Sequence, residues 1–147
     1  MQSDPLIAHF AMLARYNAQA NEILYAACAD LPDAERKRDR PAFFHSIHGT
    51  LNHILVGDRI GLARFMGDQP PPVALDAILY EDFAPLLTAR RAEDSQIARY
   101  VGELTPDAVH GRLRYVTTLG VSANEPLAIL LAQLFNHQTH HRGQVHD

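Results

Sequence analysis

The sequence predicts an all-α protein: a four-helix bundle with a short β-hairpin or irregular excursion near residues 111–121, in a single domain spanning residues 1–147. Apolar residues recur every three or four positions through four long segments, which is typical of helices that bury one face. Prolines and glycines separate these segments. The third observation is the uneven distribution of the nine histidines. Three lie between residues 45 and 53, and four lie in the last eleven residues.

The first helix is predicted at residues 5–31 and the second at residues 42–66. Asp4 is positioned to cap the first helix, and Pro5 fits its first turn because the N–H that proline lacks has no helical partner there. The charged segment 30–41 contains two prolines and is predicted to connect the two helices. A run of three prolines follows the second helix and cannot continue it.

The third helix is predicted from residue 81 or 82 to residue 104. Residues 111–121 then alternate apolar and polar side chains around a glycine, which is typical of a hairpin. Asn124 is positioned to cap the last helix, with Pro126 in its first turn. The helical pattern continues to the last residue, so we expect a further natural segment beyond it.

Composition excludes several classes of protein. Thirteen Lys and Arg against 17 Asp and Glu give a net charge of −4, which argues against a dedicated nucleic-acid binder. No apolar run approaches the roughly 18–20 residues that a membrane span needs, and the N-terminal residues lack the pattern of a secretory signal. The single cysteine, Cys28, suits a reducing compartment. We therefore expect a cytoplasmic protein that binds neither nucleic acid nor membrane.

Two histidines of the last helix continue a line of leucines that is predicted to face the bundle interior. At steps of three or four residues, the line comprises Leu127, Leu130, Leu134, His137 and His141. Side chains at i and i+4 have Cβ atoms about 5–6 Å apart, so both imidazoles can bind one metal ion. A lone histidine on an apolar face is more often a core residue, and only the pair gives the metal interpretation equal weight.

A stable catalytic site for zinc or nickel needs at least one more protein ligand. The earlier histidine cluster offers three candidates, His45, His48 and His53. The helical wheel leaves the choice open, because His48 lies beside the main apolar stripe of its helix and His53 lies nearly opposite that stripe. Gly49 and Gly57, four residues before and after His53, indicate a close backbone approach.

Three segments together resemble a known family. They are YNAQAN at 16–21, SIHGTLNHILVGDRI at 46–60 and NHQTHHRGQV at 136–145. Their order, their separation and the specific NHxxHHRGQ string make nearly the whole chain similar to the DinB/YfiT-like family of small metalloenzymes, a name unrelated to the DNA polymerase that shares it.

The resemblance implies a four-helix bundle that holds one divalent metal ion on three histidines, with open positions for water or substrate. By position these are His53, His137 and His141, so the resemblance favours His53 over His48. Imidazole ligands suit zinc and nickel. Relatives with assigned activities transfer or isomerise small molecules with a low-molecular-weight thiol as co-substrate, and most members have no assigned reaction.

The sequence departs from the family pattern at two positions. Gln19 and Gly61 stand where the family usually has tryptophan, and the chain contains no tryptophan. Each departure removes a large packing group without removing a ligand. The shape of the pocket and the identity of the substrate therefore do not carry over from relatives.

These observations favour a metal-dependent enzyme, a thiol-dependent S-transferase or isomerase that acts on a small molecule. One alternative is a non-catalytic metal-binding stress-response protein, which a closed site with a fourth protein ligand would indicate. Another is a metal-dependent hydrolase, which needs a carboxylate base, for which Asp58 and Glu22 are the candidates. The second helix has two apolar faces and few charges, which predicts a homodimer.

Four polar residues lie on or near apolar helix faces, and two roles are open to them. They orient metal-bound histidines, or they bridge helices and fix the register of the bundle. These residues are Asn17, Asn21, Asn52 and Asp58.

Further polar side chains also have two interpretations. Arg142 and Gln144 bind an anion near the metal, or Arg142 pairs with an acid of a neighbouring helix or subunit. Tyr16 and Tyr115 are proton donors at the mouth of a pocket, or they are packing residues. Cys28 is expected to be a small buried hydrophobe, because no cationic residue lies near it in the sequence.

Overall fold

The computed structural model describes residues 3–147, so the first two residues of the predicted domain lie outside the described range. Four long helices form the bundle: α1 (Pro5–Ala29), α3 (Ile47–Phe65), α4 (Phe83–Gly102) and α6 (Leu127–His146). The other described elements are two short helices and two antiparallel strands: α2 (Asp33–Lys37), α5 (Pro106–Val109), β1 (Arg112–Val116) and β2 (Ser122–Pro126). The predicted all-α bundle with a small hairpin is confirmed.

The helix predicted at residues 42–66 begins at Ile47, five residues later than expected. The hydroxyl of Ser46 caps it by accepting a hydrogen bond from the Gly49 N–H at 2.9 Å. His45 has a φ of 67°, in the left-handed region, so the chain turns sharply just before the cap. The residues before this turn therefore belong to the connecting segment, which also contains α2.

The N-cap predicted for the last helix is wrong. Asn124 lies in β2 opposite Arg114, and its Oδ1 accepts a hydrogen bond from Arg112 Nε at 3.2 Å. Pairing with β1 holds this segment in an extended conformation, so α6 begins only after Pro126. Asn124 therefore lies in a strand although asparagine favours helix caps. The hairpin extends beyond the predicted 111–121, since β2 ends at Pro126.

Two clusters of buried apolar side chains form the core, one towards each end of the bundle. The first comprises Phe10, Ala14, Leu62, Ile97, Val101, Val109, Leu127, Leu131 and Phe135. The second comprises Tyr25, Cys28, Leu51, Leu55, Leu86, Ala89 and Val145. Each fully buried Leu, Ile, Val or Phe contributes about 1.5–3 kcal/mol to stability. Across the described part of the chain, every helix is too short or too polar to cross a membrane.

A buried polar cluster lies between the two apolar clusters. Arg90 of α4 is 1% exposed, and its Nη2 lies 2.6 Å from both Asp58 Oδ2 of α3 and Asp94 Oδ1. From α1, Asn17 and Asn21 each donate a hydrogen bond from Nδ2 to Asp94, at 2.9 Å and 3.0 Å. These contacts compensate charges whose transfer out of water costs several kcal/mol each.

Helix α6 joins the same cluster through Gln138 and Arg142. Gln138 Nε2 donates a hydrogen bond to Asp58 Oδ1 at 2.9 Å, and Arg142 Nη1 donates one to Asn17 Oδ1 at 2.5 Å. Within residues 3–147, Arg142 thus bonds to the amide oxygens of Asn17 and Asn21, and not to the acid predicted for it. Of the two roles left open for Asn17, Asn21 and Asp58, the structure shows the bridging of helices, and the cluster connects all four long helices.

Both apolar faces of α3 are buried within the chain. On one face Leu51 and Leu55 are at most 1% exposed, and on the other Val56 and Ile60 are 1% and 5% exposed. The predicted homodimer rests on the need of one of these faces for a second subunit. It stays a prediction, and α3 does not support it.

Replacing Arg90 with Met should destabilise the protein by about 3–5 kcal/mol, because Asp58 and Asp94 would then be buried with their countercharge removed. The matched control is Arg99→Met on the same helix, where the ion pair with Glu103 is exposed and contributes about 0–1 kcal/mol. Urea unfolding of both variants at pH 7 measures the difference. Similar losses in the free energy of unfolding would show that the buried cluster contributes no more to stability than an exposed ion pair.

Candidate metal centre

Three histidines from two helices converge on one point. His53 lies on α3, and His137 and His141 lie one turn apart on α6. The Nε2 atom of His53 is 3.0 Å from Nε2 of His137 and 3.2 Å from Nε2 of His141. One ligand atom from each residue lies within 4.8 Å of the others, and no Cys, Asp, Glu or further His among residues 3–147 joins the group.

Hydrogen bonds determine which ring nitrogens are free to bind a metal. The Nδ1 of His53 lies 2.7 Å from the carbonyl oxygen of Leu75, which can only accept, so Nδ1 carries the proton. The Nδ1 of His141 lies 2.7 Å from Oε1 of Gln144 and donates in the same way. In the neutral rings Nε2 is therefore unprotonated, and partners of this kind orient metal-binding histidines in many proteins.

This donor set fits a divalent transition metal. The Nε2 lone pairs of His53 and His141 face each other at 3.2 Å without a proton between them, an arrangement that a cation between the rings would stabilise. Two nitrogens bound tetrahedrally to zinc at 2.0–2.1 Å lie about 3.4 Å apart, close to the observed spacing. Neutral imidazoles are preferred ligands of zinc and nickel.

Two neighbours hold the rings in place. The ring of Phe44 stacks on His53, with centroids 3.8 Å apart and an angle of 18° between planes, and it meets His141 edge-on at 5.6 Å. On the opposite side, the ring of His137 lies directly against Gly57 of α3. A Cβ atom at residue 57 would lie only 2.7 Å from Cε1 of His137, so this approach requires glycine.

Burial lowers the pKa of all three histidines below the usual 6.5. The pKa of His137 falls to about 4, because burial is reinforced by repulsion from the imidazoles of His141, His53 and His140. The hydrogen bonds of His53 and His141 through Nδ1 act in the opposite direction and offset part of the effect of burial. The rings are therefore neutral at pH 7, which is the form that binds a metal.

A cavity of about 290 Å³ opens beside His137, between α3, α6 and the hairpin. Gly57 and Gly61 form part of its wall, and Tyr115 of β1 lines it from the hairpin side. Tyr16, the other tyrosine predicted at a pocket mouth, instead lines a groove between α1 and α6. A small molecule in the cavity would thus lie next to one of the three histidines.

The remaining histidine candidates lie outside the triad. His45 is exposed, and its Nδ1 is 3.8 Å from Asp39 Oδ1. His48 is 3% exposed, and neither of its ring nitrogens has a hydrogen-bond partner among residues 3–147. The structure thus brings together the three histidines that the resemblance implied. Their role as metal ligands stays a prediction.

The other residues named from the sequence make packing contacts, hydrogen bonds or ion pairs away from the cavity. Asn52 accepts a hydrogen bond from the Tyr80 N–H at 3.0 Å and holds the loop before α4. Cys28 is 4% exposed, and burial raises the pKa of its thiol. Glu22 forms an exposed ion pair with Arg91, at 2.6 Å. None of these side chains lines the cavity beside His137.

Sequence reasoning missed three features of the site. Gln144 is predicted as an anion ligand and not as the hydrogen-bond partner of His141, although its place three residues after His141 puts the two on one helix face. Phe44 and the carbonyl of Leu75 lie in connecting segments, and they reach His53 through contacts that no local pattern indicates.

A family model matches almost the whole chain. The matching model is described as the DinB family, and it covers residues 2–146. The matched range includes both helices that carry the three converging histidines. A search of the curated proteins found no match.

Gly57→Ala should weaken metal binding by about 10–100-fold, the range typical when a neighbour that orients a ligand is disturbed. The added Cβ must displace the ring of His137. Gly143→Ala is the matched control, because a Cβ there meets nothing within 4 Å. It should leave the affinity unchanged and stabilise α6 by about 0.5–1 kcal/mol. Competition with a zinc-binding dye measures the affinities, and equal values for Gly57→Ala and the unchanged protein would contradict the described geometry.

The metal-free protein should lose stability as the pH falls from about 6.5 to about 4. In this window the unfolded chain takes up a proton at His137 that the folded chain, with its pKa of about 4, does not. His137→Gln should reduce the dependence of the free energy of unfolding on pH, whereas His146→Gln, at an exposed position, should not. Urea unfolding at pH 7, 5.5 and 4.5 provides the measurement, and identical slopes for both variants would count against a buried neutral His137.

Proposed function

We propose that this chain, which belongs to the DinB family, is a metal-dependent enzyme that acts on a small molecule with a low-molecular-weight thiol as co-substrate. The family resemblance predicted from three sequence segments is confirmed by the match over residues 2–146. The observation that carries the proposal is the convergence of three Nε2 atoms beside a cavity. The reaction type we propose is S-transfer or isomerisation.

In this proposal His53, His137 and His141 hold one zinc or nickel ion. The carbonyl of Leu75 and the side chain of Gln144 keep two of the rings in the tautomer that ligates through Nε2. A divalent ion at this point supplies a Lewis acid that lowers the pKa of a coordinated thiol and polarises a carbonyl.

The reactive thiol would come from the co-substrate. Cys28, the only cysteine of the chain, is packed in the apolar cluster with Tyr25 and Leu55, away from the three histidines. Burial raises the pKa of its thiol, which disfavours the thiolate that a nucleophile needs. The cavity beside His137 is the place where we expect the thiol and the electrophile to meet.

The alternatives have less support. A non-catalytic metal-binding protein would be favoured by a fourth protein ligand, and none from residues 3–147 joins the three histidines. A hydrolase needs a carboxylate base near the metal. Asp58 is bound to Arg90 and Gln138, Glu22 is bound to Arg91, and no acid from the described range lines the cavity.

Replacing His53, His137 or His141 with Ala should each remove stoichiometric zinc or nickel binding. The loss should exceed the roughly 10–100-fold that follows when only an outer partner of a ligand is removed, because two imidazoles do not complete a stable site. His48→Ala is the control for a buried histidine, and His140→Ala is the control for an exposed neighbour on α6. Both should keep most of the affinity.

Metal analysis of untagged protein measures the stoichiometry, and turnover assays with candidate thiols and electrophiles then test the reaction. Metal binding that survives His53→Ala but is lost in His48→Ala would show that the wrong residue of α3 was chosen. Full metal binding without turnover of any thiol and electrophile pair would favour the non-catalytic alternative.

A further inference from the structure

The cavity beside His137 contains one formally charged residue. This is Arg64, near the end of α3, and no aspartate, glutamate or lysine from residues 3–147 contributes to the wall. Most of the remaining wall is apolar, with Ile60, Phe65 and Leu134 among its members. A cavity of this composition favours a ligand with an apolar body and a negative charge.

Arg64 has no acidic partner in the described part of the chain. None of the ion pairs formed within residues 3–147 includes it. Arg64 is half-buried, and its Nε is shielded from solvent without a hydrogen-bond partner among residues 3–147, so its terminal nitrogens Nη1 and Nη2 are the ones available to a ligand. Its guanidinium lies over the ring of Tyr115, with Cζ 5.1 Å from the centroid, so the hairpin holds it in position at the cavity.

Within the cavity, Arg64 lies towards the C-terminal end of α3 and His137 lies against Gly57, nearer the N-terminal end of that helix, whereas His53 and His141 do not line the wall. Arg64 follows His53 by eleven residues on α3, which is about 16 Å along the helix axis and only about 20° around it. Gly57 and Gly61 lie between them on the same face and line the cavity. Since glycines have no side chains, the space between the two ends stays open for a ligand.

We propose that this cavity binds a small organic carboxylate, with Arg64 as the anchor for its anionic group and the apolar body extending towards His137. Only the orientation of the ligand, with its reacting atoms next to His137, rests on the proposed function. The anchor itself follows from the unpaired guanidinium. Arginine presents two parallel N–H groups that match a carboxylate, and one arginine in an apolar wall suits a monoanion better than a phosphate dianion.

A metal ion at the three histidines would also favour an anionic ligand. Three neutral imidazoles leave the full double charge of a divalent ion uncompensated. With Arg64 the groove would then carry three positive charges, and its wall contains no acid from the described part of the chain. A bound carboxylate would be attracted from both ends of the groove.

The test compares binding of 3-phenylpropionate with that of its neutral amide, 3-phenylpropionamide, to the metal-free protein by calorimetry. The unchanged protein should prefer the acid by at least about tenfold, since a charge-assisted pair contributes about 1.5–3 kcal/mol. Arg64→Gln should abolish this preference. The control variant Arg114→Gln removes the same charge from an exposed position on β1, one residue from Tyr115. It should keep the preference for the acid.

A second measurement does not depend on a variant that folds. In the unchanged protein, the ¹⁵N–¹H signal of the Arg64 Nε–H should shift on addition of the acid and not on addition of the amide. Equal affinities for acid and amide, a preference that survives Arg64→Gln, or an Arg64 signal that the acid leaves in place would each overturn the proposal. A role limited to packing on Tyr115 would lower the melting temperature of Arg64→Gln and leave the preference intact, which also overturns it.

The outcome is separable from that of the proposed function. His141 does not line the cavity, so His141→Ala should lose the metal and still prefer the acid. Arg64→Gln should lose the preference and still bind one equivalent of zinc. If the acid were preferred only by the zinc-loaded unchanged protein, and neither by its metal-free form nor by His141→Ala, the anion would be bound by the metal centre, and Arg64 would not be the anchor.

Discussion

The close approach of α3 and α6 is the constraint on which the candidate metal centre depends. Two adjacent pairs of residues define it. Gly57 makes room for the ring of His137, and next to it Asp58 accepts a hydrogen bond from Gln138 at 2.9 Å. A shift of one helix along the other would break the hydrogen bond and the ring contact together, and His137 would no longer lie 3.0 Å from His53.

The buried polar cluster and the three histidines therefore belong to one arrangement, although they do not share side chains. Asp58 is held by Arg90, which in turn binds Asp94 and through it the asparagines of α1. Such a cluster stabilises little beyond an apolar core of the same volume, but it penalises every register in which a partner is missing. The fixed register is what allows ligands from two helices to meet within a few tenths of an ångström.

The sequence predicted the parts of the site that depend on local periodicity. The spacing of His137 and His141 by four residues, in line with leucines, predicts both rings in the bundle interior, where the structure has them facing His53 of α3. Periodicity did not separate His53 from His48, because both faces of α3 are buried and a helical wheel does not show which one meets α6. The cap predicted at Asn124 was wrong for a related reason, since pairing with a distant strand outweighed its local preference.

Gly61 shows why the substrate does not follow from the family. At this position, where the family resemblance leads us to expect tryptophan, even a Cβ would lie 2.9 Å from Cδ1 of Leu134. An indole would have to displace Leu134 and occupy the space that here forms the cavity between His137 and Arg64. In this chain that volume is open to a ligand. If the three histidines hold a metal as proposed, the wall of the pocket and not the metal would select the ligand, so a chain with glycine here would admit a bulkier ligand than one with tryptophan.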